Sequence, residues 1–242
     1  MQTGNIALEG GSGAVPAFAA TPSEPGAPRG GVVVVQEAFG VTSHIQDICR
    51  RLADSGWTAV APALFHRGGD GHSAPILPYG DIASARPLMA QLTAEGISED
   101  LQAALDHLER LGLAPGRCGI VGFCMGGSVA FYAATRWPLG AAVTFYGGGI
   151  AAGRFGFPPL RDLAPTLRSP WLGLYGDLDH GIPPEEVEAL REAALTAPVP
   201  TEVVRYPDAG HGFNCDDRSA FVPAAAADAW KRTLAWLDTH LA

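Results

Sequence analysis

Short runs of apolar and β-branched residues alternate along this chain with longer segments whose apolar residues recur at a helical period. The short runs predict strands at residues 31–36, 57–63, 117–123, 141–146, 171–175 and 202–206. The longer segments predict helices at residues 41–55, 98–111, 125–136, 184–195 and 223–241. Strands that alternate with helices are typical of a mostly parallel sheet covered by helices on both faces. We therefore expect an α/β fold of that kind.

Local signals add detail to this outline. Ser43 and Ser98 are candidate N-caps, because each precedes the apolar positions of a predicted helix. The segments before Gly31 are candidates for antiparallel edge strands. Residues 66–80 and 147–169 form two long irregular stretches, and long loops beside such a sheet often shape an active site.

Composition and charge restrict the class of protein. Hydrophobic residues make up 47% of the 242 residues and charged residues only 17%, which allows a large core and argues against disorder. No linker divides the chain, so we expect residues 1–242 to form one domain. The 16 Lys and Arg against 25 Asp and Glu, with no basic cluster, argue against nucleic-acid or anionic-membrane binding.

The chain carries no sequence signal for export or membrane insertion. It has no signal-peptide pattern and no apolar run near the roughly 18 residues of a membrane span. The four cysteines show no C-x-x-C spacing, which argues against a zinc ribbon or redox pair and suits a reducing compartment. We therefore expect a cytoplasmic protein, a monomer or small homo-oligomer, whose partner is a small molecule.

The sharpest chemical signal is Gly-Phe-Cys-Met-Gly-Gly at residues 122–127. It follows a predicted strand and opens a predicted helix, which is the setting of a nucleophile elbow with Cys124 as nucleophile. Small residues are needed on both sides of such a turn, because larger ones would overlap the neighbouring strand and helix. The helix N-terminus also favours a thiolate and an oxyanion. The alternative is a buried structural cysteine.

Two further segments follow predicted strands. In Tyr-Gly-Asp-Leu-Asp-His-Gly-Ile-Pro, residues 175–183, Asp177 and Asp179 are both candidate acids; we favour Asp179, with Asp177 ordering the loop. In Ala-Gly-His-Gly-Phe, residues 209–213, His211 lies between glycines that would let its ring approach a nucleophile. Either segment alone could be an ordinary polar loop.

The order of these candidates is nucleophile, acid, histidine, which is the order of α/β-hydrolases. His211 would accept or hold the proton of the Cys124 thiol, and Asp179 would orient the imidazole and stabilise its cation. Attack on an ester carbonyl would then form a thioester, which water would hydrolyse.

On these residues, together with Gln-Glu-Ala-Phe-Gly at residues 36–40, the chain resembles the dienelactone hydrolase family over nearly its whole length. The resemblance implies an α/β-hydrolase fold and hydrolysis of small esters or lactones, without a metal or an organic cofactor. It implies that Glu37 contacts Cys124 and takes part in its activation. It also implies that the backbone N–H groups of Ala38 and Met125 form the oxyanion hole.

The resemblance also implies arginines that hold a substrate carboxylate, but their positions are not matched here. Cys215 stands where one is expected, just after the histidine, with no arginine before Arg218. Arg67 and Arg86 lie in the segment expected to carry the other.

Two aromatic residues are further candidates for the substrate pocket. Tyr146 ends a predicted strand, where it could line the pocket or belong to the core. Phe39 follows the candidate glutamate.

Two alternatives remain open from the sequence. A non-catalytic module that binds a small molecule could use the same scaffold. His66 and His72 could ligate a metal, although no third ligand is evident and we expect no metal site.

Overall fold

The computed structural model describes residues 1–11, 13–23, 28–68 and 74–241. In these residues eight strands form one sheet. The strands are β1 Gln2–Gly10, β2 Gly13–Thr21, β3 Gly31–Val35, β4 Thr58–Pro62, β5 Cys118–Phe123, β6 Ala141–Phe145, β7 Trp171–Gly176 and β8 Thr201–Tyr206. Their spatial order is β1-β2-β4-β3-β5-β6-β7-β8. Strands β3 to β8 are parallel, whereas β1 and β2 form an antiparallel hairpin that pairs with β4.

The helices of the described residues connect these strands. They are α1 Ser43–Asp54, α2 Ile82–Ala90, α3 Ala94–Arg110, α4 Met125–Arg136, α5 Leu160–Leu163, α6 Pro184–Ala194 and α7 Pro223–His240. Among the helices in these ranges, none combines the length and apolarity needed to cross a bilayer.

The central strands are apolar because both of their faces are covered. Every residue of β3 to β7 is buried, and successive side chains of a strand point to opposite faces of the sheet. This explains why β3 contains four consecutive valines rather than an alternating pattern. The predicted α/β fold with a mostly parallel sheet is therefore confirmed.

Both predicted N-caps are wrong. Thr42 precedes the first residue of α1, and the Ser43 hydroxyl instead donates to Asp217 Oδ2 at 3.0 Å. Helix α3 begins at Ala94 because the Thr93 hydroxyl caps it by accepting from the Gly96 amide at 3.1 Å. The Ser98 hydroxyl lies inside the helix, where it donates to a backbone carbonyl.

The predicted loops differ from the structure in their detail. Helix α2 was not predicted, because only Ala85 of its residues is buried and Pro87 interrupts its pattern. Within residues 147–169 the structure has the short helix α5 and an isolated bridge between Arg154 and Phe157. Of residues 66–80, the part that includes His72 lies outside the described residues.

The parallel strands end at a common edge, which brings the candidate residues together. Glu37 follows β3, Cys124 follows β5, and Tyr146 follows β6. Asp179 follows β7 and His211 follows β8. Ligand sites of open parallel sheets lie at this carboxyl edge, so the candidate functional site lies there.

Candidate active site

Cys124 lies in a strained turn between β5 and α4. Its backbone has φ 56° and ψ −118°, a conformation that residues other than glycine rarely adopt. The turn is tight because a Cβ atom at Gly122 would overlap the backbone of Gly126, and one at Gly126 would overlap the carbonyl of Val35. The two glycines therefore permit the crossing that exposes the thiol at the sheet edge.

The backbone around the thiol offers free hydrogen-bond donors. Met125 is the first residue of α4, and its N–H has no hydrogen-bond partner in the described part of the chain. The N–H of Ala38 likewise donates to no described residue. Such groups, next to a helix N-terminus, suit an oxygen on which negative charge develops.

His211 is held by Asp179 rather than by Asp177. Its Nδ1–H donates to Asp179 Oδ2 at 2.6 Å, while Asp179 Oδ1 accepts from the amide of Gly181 at 2.8 Å. Asp179 is buried, so its charge is poorly screened by water. Asp177 instead forms an ion pair with Arg205 at 2.6 Å. The carboxylate that orients the imidazole is therefore Asp179.

The surroundings of His211 favour its cation. Burial lowers the pKa of His211, but hydrogen bonds to Asp179 and to the Cys124 side chain, and the charges of both, raise it overall to about 10. Because Nδ1 faces Asp179, Nε2 is the nitrogen available to Cys124. An imidazolium next to a cysteine stabilises the thiolate, which is the nucleophilic form.

Glu37 is completely buried beside the same edge. Its Oε1 accepts from Arg218 Nη1 at 3.2 Å, and its Oε2 has no hydrogen-bond partner among the described residues. The arginine also lies over the ring of Phe39, 5.9 Å from its centroid. The expected contact between Glu37 and Cys124 is absent as a hydrogen bond, because the carboxylate is paired with Arg218 instead.

Other titratable groups surround this glutamate. His44 is buried within electrostatic range of it, and its Nε2 has no hydrogen-bond partner in the described part of the chain. Burial lowers the pKa of His44, and the charge of Glu37 opposes that effect. Burial raises the pKa of Tyr146 well above its usual range, and the Glu37 charge adds to this. Arg218 is therefore the cation that makes a direct ion pair with the buried carboxylate.

The candidate substrate residues occupy different positions. Arg67 lies in an ion pair with the buried Asp100 at 2.6 Å, and His66 also contacts Asp100 at 3.0 Å. Arg86 is exposed on α2 and lines a cleft between this helix and the loop that carries Arg154. Arg67 and His66 therefore stabilise the protein around Asp100, whereas Arg86 is available to a ligand.

The two aromatic candidates lie under the site rather than at its surface. Tyr146 is completely buried, with its ring 5.1 Å from that of His211 and 5.3 Å from that of Phe213. Phe39 is also buried, and its ring meets Tyr79 edge-on at 5.2 Å. Tyr146 therefore packs against His211, whereas Phe39 packs against Tyr79 and lies under Arg218.

Two arginines at the site were not identified from the sequence. After His211 the chain folds back through successive turns that bring Arg218 to Glu37. In these turns the amide of Cys215 donates to the carbonyl of Gly212, and the amide of Arg218 donates to the carbonyl of Cys215. Spacing along the chain contains no signal for such a return. Arg154 lies in the loop after β6, whose turns at Gly149 and Gly153 have positive φ values. The glycines of this loop were its only available signal.

Comparison with known proteins agrees with this architecture. Residues 15–241 match the model of the dienelactone hydrolase family. A protein of Escherichia coli O157:H7, provisionally named carboxymethylenebutenolidase, is 42% identical over 233 residues, which are 93% of this chain and 83% of that protein. The carboxymethylenebutenolidase of Pseudomonas putida is 30% identical over 211 residues, which are 87% and 86% of the two chains.

A solved structure shares the fold over nearly its whole length. It is a provisionally named dienelactone hydrolase of Klebsiella pneumoniae, 37% identical, with a TM-score of 0.86 and 98% of each chain covered. The chain therefore belongs to the dienelactone hydrolase family, and it is a hydrolase of that type with the α/β-hydrolase fold.

Proposed function

We propose that this chain hydrolyses small carboxylic esters or lactones through a thioester, with Cys124 as nucleophile, His211 as acid and base, and Asp179 as the group that orients it. The observation that carries the proposal is the hydrogen bond between His211 and Asp179 beside a cysteine in a strained strand-to-helix turn. The name of the Pseudomonas putida relative, carboxymethylenebutenolidase, supports a lactone among the substrates.

The first half of the reaction acylates the enzyme. The Cys124 thiolate forms a bond to the carbonyl carbon, and the carbonyl oxygen becomes an oxyanion held by the N–H groups of Ala38 and Met125. When the tetrahedral intermediate collapses, the ester C–O bond breaks and the imidazolium of His211 protonates the departing alkoxide. The product of this step is a thioester and a neutral His211.

The second half releases the acid. Neutral His211 removes a proton from water, which adds to the thioester carbonyl through the same oxyanion site. The C–S bond then breaks, the carboxylic acid leaves, and the thiolate is restored beside the imidazolium. One ester and one water give one acid and one alcohol, which remain joined when the substrate is a lactone.

Glu37 has a proposed part in this cycle. It is a buried carboxylate on the edge that carries Cys124, and within residues 1–11, 13–23, 28–68 and 74–241 only one of its oxygens accepts a hydrogen bond. When a substrate disturbs its pairing with Arg218, the carboxylate can receive the thiol proton and so control how much thiolate is available.

The cellular setting is also proposed. The four cysteines are free thiols, three of them buried, which supports a reducing compartment such as the cytoplasm. A monomer or a small homo-oligomer would leave the carboxyl edge open to a small-molecule substrate.

The test compares the wild-type protein with the Cys124→Ala variant on p-nitrophenyl acetate. We expect kcat/KM to fall by about a thousandfold or more, because the covalent route is lost. Mass spectrometry of the wild-type protein, quenched in acid during turnover, should show an added acetyl group that the variant lacks. Equal hydrolysis by both proteins would refute the assigned nucleophile, and no hydrolysis by either would favour the non-catalytic binding module.

A further inference from the structure

His44 is a buried imidazole at the candidate active site that the proposed reaction leaves without a role. It is the second residue of α1, and its ring meets the ring of Phe123, the residue before Cys124, edge-on at 5.9 Å. Its Nε2 is buried and has no hydrogen-bond partner in the described part of the chain. Burying such an atom is costly, so native proteins keep few of them without a functional reason.

The loop after β8 places His44 close to Glu37. Three consecutive residues of this loop reach the start of α1 and the loop before it. Asp216 Oδ1 lies 3.6 Å from His44 Nδ1, the next residue accepts from the Ser43 hydroxyl at 3.0 Å, and Arg218 donates to Glu37 at 3.2 Å. Among the described residues, Glu37 is the charge that acts most strongly on His44. The imidazole and the carboxylate therefore belong to one buried cluster.

Opposing effects keep His44 neutral but close to its cation. Burial lowers its pKa, and the surrounding charges differ in sign. Three carboxylates raise the pKa and one arginine lowers it, namely Glu37, Asp216, Asp217 and Arg51. The overall pKa lies below its usual value, so the ring is a neutral base near pH 7. When a substrate disturbs the pairing of Glu37 with Arg218, the full charge of the carboxylate acts on His44, and the proton affinity of the ring rises.

Other titratable groups near Glu37 cannot accept a further proton at neutral pH. They are two phenols and a thiol, and burial raises the pKa of each: Tyr79, Tyr146 and Cys215. All three therefore keep their own protons. His211, with a pKa of about 10, already carries its proton as well. Among the described residues around Glu37, His44 is the neutral base with a free nitrogen.

We propose that His44 is a positioning residue that acts on Cys124 through Glu37 and holds the thiol proton during turnover. When the thiol S–H bond breaks, Glu37 takes the proton on Oε2, the oxygen that accepts no hydrogen bond from a described residue. That O–H bond then breaks and His44 Nε2 gains the proton, so that a carboxylate and an imidazolium lie side by side. The proton returns by the same atoms when the thiol re-forms. This inference rests on the proposed role of Glu37 and extends it to a second base.

The first test follows the His44 ring by NMR titration in the wild type, Glu37→Gln and Arg218→Gln, without substrate. The ring signal is assigned by its contact with the ring of Phe123. We expect the pKa of His44 to fall by about half to one pH unit in Glu37→Gln, because a neighbouring negative charge is lost. It should rise by a similar amount in Arg218→Gln, which imitates the release of Glu37 by a substrate.

The second test measures turnover of p-nitrophenyl acetate near neutral pH. His44→Gln keeps a hydrogen-bonding side chain but removes the base, and kcat/KM should fall by about 10- to 100-fold. In the Glu37→Gln background the same substitution should have little further effect, because His44 acts through Glu37. The control His107→Gln replaces another partly buried histidine, in the last turn of α3, and should keep wild-type turnover. Thermal unfolding shows whether each variant is folded.

The outcomes separate this inference from the proposed function. A His44 pKa that is unchanged in Glu37→Gln and Arg218→Gln, or that moves in the same direction in both, refutes the inference even if His44→Gln does not fold. Normal turnover in a folded His44→Gln variant refutes it too, as does an equal loss with and without the Glu37 carboxylate. If Glu37→Gln itself keeps full turnover, the proposed role of Glu37 fails, and the inference fails with it. Hydrolysis by Cys124→Ala instead removes the assigned nucleophile.

Discussion

We predict that removing the charge of either member of the ion pair between Glu37 and Arg218 changes the stability of the Cys124 thiolate, in opposite directions for the two residues. The carboxylate is completely buried, and the charge of the arginine interacts with that of Cys124. In the Glu37→Gln variant, the Arg218 charge is no longer neutralised, so it should stabilise the thiolate. In the Arg218→Gln variant, the unpaired carboxylate should oppose the thiolate.

The expected size follows from simple electrostatics. One unit charge about 12 Å away, with an effective dielectric constant near 20, shifts a neighbouring titration by roughly one pH unit, and a closer charge shifts it further. We therefore expect the midpoint of Cys124 alkylation to fall by about one pH unit in Glu37→Gln and to rise by a similar amount in Arg218→Gln. The free energy of unfolding should fall by about 1–3 kcal/mol in each, because each leaves one buried group without its partner.

Alkylation by iodoacetamide can report on Cys124 alone. The other three cysteines are buried, and burial raises the pKa of Cys118 and of Cys215 to about 11 and that of Cys49 further still. The rate of modification is measured by intact mass between pH 5 and 10, on protein without substrate. Turnover of p-nitrophenyl acetate by Glu37→Gln should nevertheless fall, since the proposed proton acceptor is lost.

The double variant is the control for this reasoning. Combining both substitutions removes the pair, so its alkylation midpoint should return to within a few tenths of a pH unit of the wild type. Midpoints that move in the same direction in both single variants would refute the electrostatic account. Normal turnover in Glu37→Gln with an unchanged alkylation profile would leave the glutamate a purely structural role.

Three further predictions concern the pKa of His211 and the stability of the structure around the site. Asp179→Asn should lower the pKa of His211 from about 10 toward its usual value, so the imidazolium titrates nearer neutral pH; NMR titration of the ring checks this, and an unshifted midpoint contradicts it. Gly126→Ala should cost about 2–5 kcal/mol in urea unfolding, because the added methyl group meets backbone that cannot move, whereas the control Gly116→Ala has open space and should change stability little. Arg67→Gln should destabilise the protein by about 1–3 kcal/mol, because it removes a charged partner from a buried aspartate that keeps its contact with His66, and a stability equal to wild type would argue that the ion pair is unimportant.

Periodicity predicted the sheet well because burial on both faces imposes it locally. Each central strand must be continuously apolar, so β3 and β5 could be recognised from their own residues. Helix α2 escaped prediction because a helix with one buried residue carries no apolar stripe. The cap of α3 was misplaced by five residues because its first three residues, Ala-Glu-Gly, include no large apolar side chain, whereas the apolar positions of the helix begin at Ile97.

The candidate site was predictable to the extent that its residues lie shortly after strands. Cys124 follows β5 directly and His211 lies in the loop after β8, and the glycines beside them indicate close backbone approaches. The sequence favoured Asp179 over Asp177 although both follow β7, and the structure separates their partners: Asp177 pairs with Arg205 and Asp179 with His211. The pairing of Arg218 with Glu37 could not be predicted from the sequence, because it depends on how the whole loop after His211 folds back.

The contact between Glu37 and Arg218 joins residues 181 positions apart. A ribosome adding about 5–20 residues per second needs roughly 10–35 s to cover that interval, so the carboxylate emerges long before its cation. Until then, closing the first strands over Glu37 would bury an unpaired charge, which opposes early completion of the sheet. The nascent chain should therefore keep this edge hydrated and open until its last segment has left the ribosome, and a chain truncated before Arg218 should stay susceptible to proteases there.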